Sequence, residues 1–166
     1  GGAAVAINLG LRYPERTGKL ILSGAGREEN LTDKQIQDLI DQPMTRDLPV
    51  DTDGEFLKKT WSVYRRMSAT KTTPEMTFQP FLTSLINRQR KFDLHYAIYR
   101  YQPNLDDLNK ETLLLEAEED EYAGDVTGLQ RRIKESTIKK VSNSGSWQFY
   151  EEPELNAKII IEFLNQ

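Results

Sequence analysis

The amino-acid sequence predicts an α/β fold, in which a three-stranded parallel sheet with flanking helices carries an all-helical insertion. Three short apolar runs have the length and composition of buried parallel strands. Helical patterns separate these runs, as the crossover connections of a parallel sheet require. Between the first and the second run no strand pattern is present, so residues 27–108 are predicted to be a helical cap over one edge of the sheet.

The first two elements are predicted to be a helix and a buried strand. Residues 1–13 are small and apolar on nearly every side and stop at Pro14, which indicates a helix buried between layers. The apolar run of residues 20–22 comes next, bounded by Gly18 and by the loop of residues 23–26. Such a run is typical of a buried parallel strand.

Four helices are predicted within the insertion. Thr32 and Gln35 have the spacing of a capping box at the start of the first helix. Apolar residues at helical spacing predict the second helix over residues 53–67 and the fourth over residues 92–101. The third begins at Thr73-Pro74-Glu75, an N-cap followed by proline at the first helical position and an acidic residue in the first turn.

The alternation of strand and helix returns after the insertion. A strand is predicted over residues 112–115, a helix over 125–133, a strand over 137–141 and a final helix over 153–164. Residues 1–26 and 109–166 are therefore predicted to form one α/β core, from which the cap of residues 27–108 projects.

Composition excludes several function classes. The 166 residues carry a net charge of −4, which disfavours neutralisation of a nucleic-acid backbone. Cysteine is absent, so the sequence offers neither disulfides nor thiolate chemistry. No metal or other cofactor is predicted, because the acidic run of residues 116–121 lacks the ligand alternation and glycine of a calcium loop. Without a signal-peptide pattern or a membrane-spanning apolar stretch, we expect a cytoplasmic protein that binds no membrane.

The order of these elements resembles the C-terminal half of an α/β-hydrolase, from just after the nucleophile elbow and with a helical cap. The stretch Gly1-Gly2-Ala3-Ala4 is similar to the residues that come after the serine in the family's Gly-x-Ser-x-Gly elbow. Tyr13-Pro14-Glu15-Arg16 before the first strand is also similar to the family. The resemblance implies that the nucleophile and both oxyanion-hole donors precede Gly1, so this chain alone is expected to be inactive.

The two remaining triad positions are implied by the same resemblance. The stretch of residues 113–120 is similar to the family's apolar strand followed by Gly-Glu-x-Asp, which puts Ala117 at the glycine and Asp120 at the catalytic acid. A solvated acidic loop is the alternative. In Asn143-Ser144-Gly145-Ser146, Ser146 stands where the family has its catalytic histidine. The triad is therefore degenerate, because a serine hydroxyl titrates far above neutrality and does not replace imidazole as general base.

Three functions remain open at this point. The first is the C-terminal portion of a hydrolase-like protein, whose family cleaves ester, carbon–carbon or similar bonds. The others are a non-catalytic binding or interaction domain and a truncated or engineered hydrolase-derived domain. The resemblance implies a small apolar substrate or ligand under the cap. Its predicted contacts are Trp61, Tyr64, Tyr96, Tyr99 and Trp147. For the four in the insertion, packing of the cap is the alternative explanation of their helical spacing.

Further polar residues depart from the family pattern. His95, the only histidine, lies in the fourth predicted cap helix and is expected at the surface or in packing. Glu111 and Lys134 replace usual prolines and Asn156 a usual apolar residue, which suits newly exposed surfaces. The outer edge of the strand at residues 20–23 is predicted to be open, so we expect a rearranged helix or a second copy, in a homodimer, to cover it.

Overall fold

A computed structural model describes residues 1–26, 31–41, 47–88 and 94–166. The strands are β1 (Leu20–Ser23), β2 (Thr112–Ala117) and β3 (Ser136–Val141). The helices are α1 (Gly2–Arg12), α2 (Asp33–Asp41), α3 (Glu55–Arg66), α4 (Pro74–Asn87), α5 (Leu94–Arg100), α6 (Val126–Arg132), α7 (Gln148–Glu151) and α8 (Pro153–Leu164). Short 3₁₀ helices occupy Pro14–Arg16 and Leu105–Asp107.

The sheet confirms the predicted parallel topology. Its three strands run in the order β1-β2-β3, with Leu20 beside Thr112 and Thr112 beside Ser136. The central strand β2 continues two residues beyond its apolar run, because Glu116 and Ala117 stay paired with β3. Among the described residues, β1 and β3 are the two edges.

Helices cover both faces of the sheet, as expected for parallel strands. On one face, Leu20, Leu22 and Leu114 pack in a cluster with Ile7 of α1 and Leu129 of α6. On the other face, side chains of β2 and β3 pack against Phe163 of α8. Three consecutive leucines of β2 are at most 1% exposed, which explains why this strand has no polar alternation.

The helix α1 is buried along one stripe only among the described residues, so the prediction of a helix buried between layers is not met there. Ile7 and Gly10 are its buried residues, and a Cβ at Gly10 would lie 2.8 Å from the Leu108 side chain. Val5 is 65% and Leu9 47% exposed. The small residues of α1 permit close packing on the sheet, but no described element covers its outer face.

The insertion contains helices and loops, and no strand, in its described residues. The predicted capping box is present, since Thr32 Oγ1 accepts from Gln35 N and Thr32 N donates to Gln35 Oε1. Thr73 caps α4, with Pro74 in its first turn. The second predicted helix is α3. The fourth is α5, and the predicted start at residue 92 lies outside the described residues.

Of the three polar replacements, two are exposed and one is buried. Lys134 is exposed, and Glu111 forms a salt bridge of 3.0 Å with Lys19. Asn156 is only 1% exposed, so the expectation of a newly exposed surface is wrong at this position. Its Nδ2 donates to the carbonyl oxygens of Gln148 and Glu152, at 3.0 and 2.7 Å, which fastens α8 to the preceding short helix.

Candidate functional site

Asp120 and Ser146 meet at the carboxyl end of the sheet. Asp120 follows β2 by three residues and Ser146 follows β3 by five. Ser146 Oγ donates a hydrogen bond of 2.6 Å to Asp120 Oδ1, and the same oxygen accepts from Tyr122 N at 3.0 Å. A serine–carboxylate pair therefore stands where the sequence resemblance implied an acid and a degenerate histidine position.

The two loops are brought together because strand pairing continues beyond the strands. Glu118 N donates to the Val141 carbonyl at 3.0 Å, and Glu119 N donates to the Ser144 carbonyl at 2.8 Å. Asn143 turns the second loop with a φ of 55°, in the left-handed region that asparagine tolerates. Backbone hydrogen bonds thus determine the separation of the Asp120 and Ser146 side chains.

The segment of residues 67–72, which joins α3 to α4, lies directly against these loops. Ser146 N donates to the Met67 carbonyl at 2.7 Å. Gly145 is required here, because a Cβ at this position would come within 2.3 Å of the Met67 oxygen. Glu119 Oε2 accepts from both the backbone N and the hydroxyl of Thr70, each at 2.7 Å. The Thr70 N–H and then its hydroxyl hold the pKa of Glu119 below its usual value.

Glu151 is a buried carboxylate that connects the same segment to the loop after β3. Its Oε1 accepts from Ala69 N at 2.8 Å and from Thr72 Oγ1 at 2.6 Å. Its Oε2 accepts from Gly145 N at 2.6 Å. With 8% exposure, Glu151 relies on these three donors to replace water around its carboxylate. The Glu151 carboxylate therefore holds the insertion against the loop after β3.

Two adjoining cavities open at this end of the sheet. The smaller, of about 30 Å³, is lined by Asp120, Ser146, Ser23 and Gln148 among others, and has room for water. Gln148 Nε2 donates to Ser23 Oγ, whereas the buried Gln148 Oε1 has no partner among the described residues.

The larger cavity, of about 300 Å³, lies between the loop after β2 and the insertion. Its apolar lining includes Leu31, Leu39, Ile98 and Tyr99. Gly26, Ala123 and Gly124 line both cavities. A Cβ at Gly26 would lie 2.3 Å from the Gly124 oxygen, so glycine allows the two loops to touch there.

The five aromatic residues predicted to contact a ligand are not all together. Trp61 and Tyr64 pack edge-on against Phe81, with ring centroids 5.1 and 6.2 Å away. Tyr64 also stacks on Trp147 at 5.3 Å. Tyr99 lies apart from this cluster and lines the larger cavity. The side chains of Tyr96 and His95 are outside the described part of the structure.

Sequence reasoning did not identify three residues that shape the site. Glu151 stands in the acidic stretch before Pro153, which carries no sign of its burial. Ser23 ends β1, and Gln148 begins α7 after 124 intervening residues, so their contact has no local sequence signal.

The described residues contain no group of three or more side chains arranged to hold a metal ion. In the same part of the chain, no helix has the length and apolar character needed to cross a membrane.

Comparison with solved structures identifies the fold. A thermophilic esterase from Thermogutta terrifontis is similar with a TM-score of 0.72 and 17% identity, covering 99% of this chain and 61% of the esterase. A meta-cleavage product hydrolase from Pseudomonas fluorescens is similar with a TM-score of 0.67 and 17% identity, covering 98% of this chain and 61% of the hydrolase. No protein-family model and no curated protein matches the sequence.

A third similar structure is 2-hydroxy-6-oxo-6-phenylhexa-2,4-dienoate hydrolase from Rhodococcus sp. strain RHA1, with a TM-score of 0.65 and 15% identity. The similarity covers 100% of this chain and 62% of that enzyme. The chain therefore has part of the α/β-hydrolase fold and spans about three fifths of the length of these enzymes. At such low identity the likeness establishes the fold alone.

Proposed function

We propose that this chain is the cap-bearing C-terminal part of an α/β-hydrolase-fold protein that binds a small, largely apolar molecule without hydrolysing it through a Ser–His–acid triad. The hydrogen bond from Ser146 Oγ to Asp120 Oδ1 carries this proposal. Ser146 is the residue that the family resemblance aligns with the catalytic histidine, and Asp120 is the one it aligns with the acid.

The chemistry of this pair opposes proton transfer at neutral pH. An imidazole accepts a proton from the nucleophile and returns it to the leaving group, because its pKa lies near neutrality. A serine hydroxyl does not do so, and here its proton is already donated to a carboxylate. General acid–base catalysis typically contributes roughly 10²- to 10⁴-fold to a rate, so its loss removes much of the triad's effect.

Ligand binding is supported by the cavity beneath the insertion. Its volume of about 300 Å³ is at the lower end of the range for small-molecule sites, which begins at roughly 300 Å³. Aliphatic and aromatic side chains supply much of its lining, and it adjoins the polar cavity at Asp120 and Ser146. A ligand with an apolar body and one polar group would therefore fit this pair of cavities.

The test combines turnover with binding. We expect p-nitrophenyl butyrate to be hydrolysed by this chain no faster than in buffer, and Ser146→Ala to leave that rate unchanged. Benzyl alcohol, a neutral apolar probe, is expected to bind in calorimetry. Hydrolysis well above the buffer rate that disappears in Ser146→Ala would overturn the proposal.

A second experiment tests whether the side chain at position 146 is paired with Asp120. In Ser146→His, the introduced imidazole is expected to titrate above the ordinary histidine pKa of about 6.5, because the Asp120 carboxylate favours its charged form. Proton NMR can follow the titration, with His95 as the internal reference. The double variant Ser146→His, Asp120→Asn should lose the elevation. A pKa unaffected by Asp120→Asn would contradict the assigned pairing.

A further inference from the structure

The two adjoining cavities carry acidic side chains and no basic ones among their described lining residues. Asp120 and Glu116 line the smaller cavity, and Glu121 lines the larger. Glu116 lies 3.8 Å from Lys140 Nζ, so its charge has a partner outside the cavity. Asp120 and Glu121 have no salt-bridge partner within the described residues. Arg27, next to the cavity residue Gly26, is not among those residues.

The hydrogen-bonding capacity of Asp120 is incompletely used. Both hydrogen bonds that the Asp120 carboxylate receives from described residues end on Oδ1. A carboxylate has about four lone-pair sites, so Oδ2 remains able to accept from a ligand. The Asp120 side chain is partly exposed, and it faces a cavity that is open enough to admit a donor group.

An independent observation in the same cavity also indicates a hydrogen-bond donor. Gln148 is only 4% exposed and lines the cavity, and its Oε1 has no partner among the described residues. A buried polar acceptor is costly unless a donor reaches it, either a water molecule in the cavity or a group of a bound ligand. A ligand donor that reaches Gln148 Oε1 would satisfy this acceptor in place of water.

We propose that the ligand of these cavities is a cationic amphiphile, an organic ammonium compound. Its N–H group binds at Asp120 and Gln148, and its apolar body lies along Leu39, Ile98 and Tyr99. This inference rests on the proposed binding function and adds the charge of the ligand. An ammonium supplies up to three donors and a charge opposite to that of the lining carboxylates, whereas a carboxylate ligand would be repelled.

The experiment compares three probes of similar size on the 166-residue chain. Calorimetry at neutral pH measures benzylammonium, benzyl alcohol and benzoate. Benzylammonium is expected to bind at least roughly tenfold more tightly than benzyl alcohol, and benzoate more weakly than either. In Asp120→Asn the preference for the cation should disappear. Glu121→Gln, at the exposed rim, should reduce it and provides a second variant if Asp120→Asn does not fold.

The matched control removes the same charge at the opposite end of the sheet. Glu15 lies in the 3₁₀ helix before β1, at the amino end of the strands, and is exposed. Glu15→Gln should leave the cation preference unchanged, whereas an equal loss in this control would assign the effect to net charge and overturn the proposal. Equal or tighter binding of benzyl alcohol or benzoate would also overturn it, but would leave the proposed binding function in place. If none of the probes binds, both fail.

Discussion

Hydrogen-bonded carboxylates hold the helical insertion against the carboxyl ends of the strands. Glu119 receives two bonds from Thr70, and Glu151 receives bonds from Ala69, Thr72 and Gly145. Glu119 is exposed to water on one side, whereas Glu151 is buried. We therefore expect Glu151 to contribute more than Glu119 to the stability of the fold. If a donor is lost, water can take its place at Glu119 but not at the buried Glu151.

Glu151→Gln is expected to destabilise the fold by about 2 kcal/mol. Glutamine keeps the size of the side chain but has one acceptor oxygen, so at least one of the three buried donors loses its partner. Urea unfolding followed by circular dichroism measures the effect. The control is Glu162→Gln on the exposed face of α8, which should stay within about 0.5 kcal/mol of the wild type. Equal stability of the two variants would show that the Glu151 contacts contribute nothing.

At the scale of elements, short polar side chains accept hydrogen bonds from backbone N–H groups that have no partner within the helix, at the starts of α3 and α6. Asp125 Oδ1 accepts from Gly128 N at 2.7 Å and caps α6. Before α3, Asp51 accepts from Asp53 N at 3.1 Å, Glu55 N at 2.8 Å and Phe56 N at 2.9 Å. Because these donors favour the ionised form, Phe56 N–H first among them, the pKa of Asp51 is lowered.

The lowered pKa of Asp51 makes a pH-dependent contribution to the start of α3. A carboxyl whose pKa is lower in the folded than in the unfolded state stabilises the fold above the unfolded value, about 3.9. That contribution is lost as pH falls through the lower, folded pKa. Amide hydrogen exchange of Glu55 and Phe56 should therefore accelerate, relative to its intrinsic pH dependence, as the solution is acidified below this value.

Asp51→Asn is the matched variant for this measurement. Asparagine still accepts hydrogen bonds at a helix start but has no charge to titrate. Protection near neutral pH should fall only slightly, and its acid dependence should disappear. An unchanged acid dependence in Asp51→Asn would assign the effect to another carboxyl group.

At the scale of the whole molecule, β1 forms one edge of the sheet within the described residues. Leu20 N donates to the carbonyl of Glu111, just before β2, and Gly24 N donates to that of Leu115 in β2. Because N–H groups alternate in direction along a strand, those of Ile21 and Ser23 face the outer edge. Among the described residues no strand pairs there, and such an edge can pair with another chain. We therefore expect a second copy to associate through β1.

Light scattering after size-exclusion chromatography measures this association over a range of concentrations. Ile21→Pro should reduce it, since proline removes an outward N–H group and leaves the bonds from β1 to β2 intact. Ile21→Ala is the control for the lost side chain, which packs partly buried against the cluster containing Phe163. A monomer at every concentration, or equal association of both variants, would contradict pairing through this edge.

Sequence alone determined the order of the main helices and strands, because these depend on neighbouring residues, whereas the short helix α7 was not predicted. The leucines of β2 indicated a buried strand, and Thr73-Pro74 indicated the start of α4. The three-strand parallel sheet then follows from right-handed crossovers between short apolar runs.

Tertiary structure alone decided what surrounds each residue. The polar Asn156 is buried and the apolar Val5 exposed, because burial depends on which elements lie alongside and not on residue type. The contacts of Glu151 with Ala69 and of Gln148 with Ser23 join residues far apart in the chain. Likewise, the resemblance indicated Asp120 and Ser146 separately, but only the continued pairing of their loops places the hydroxyl 2.6 Å from the carboxylate.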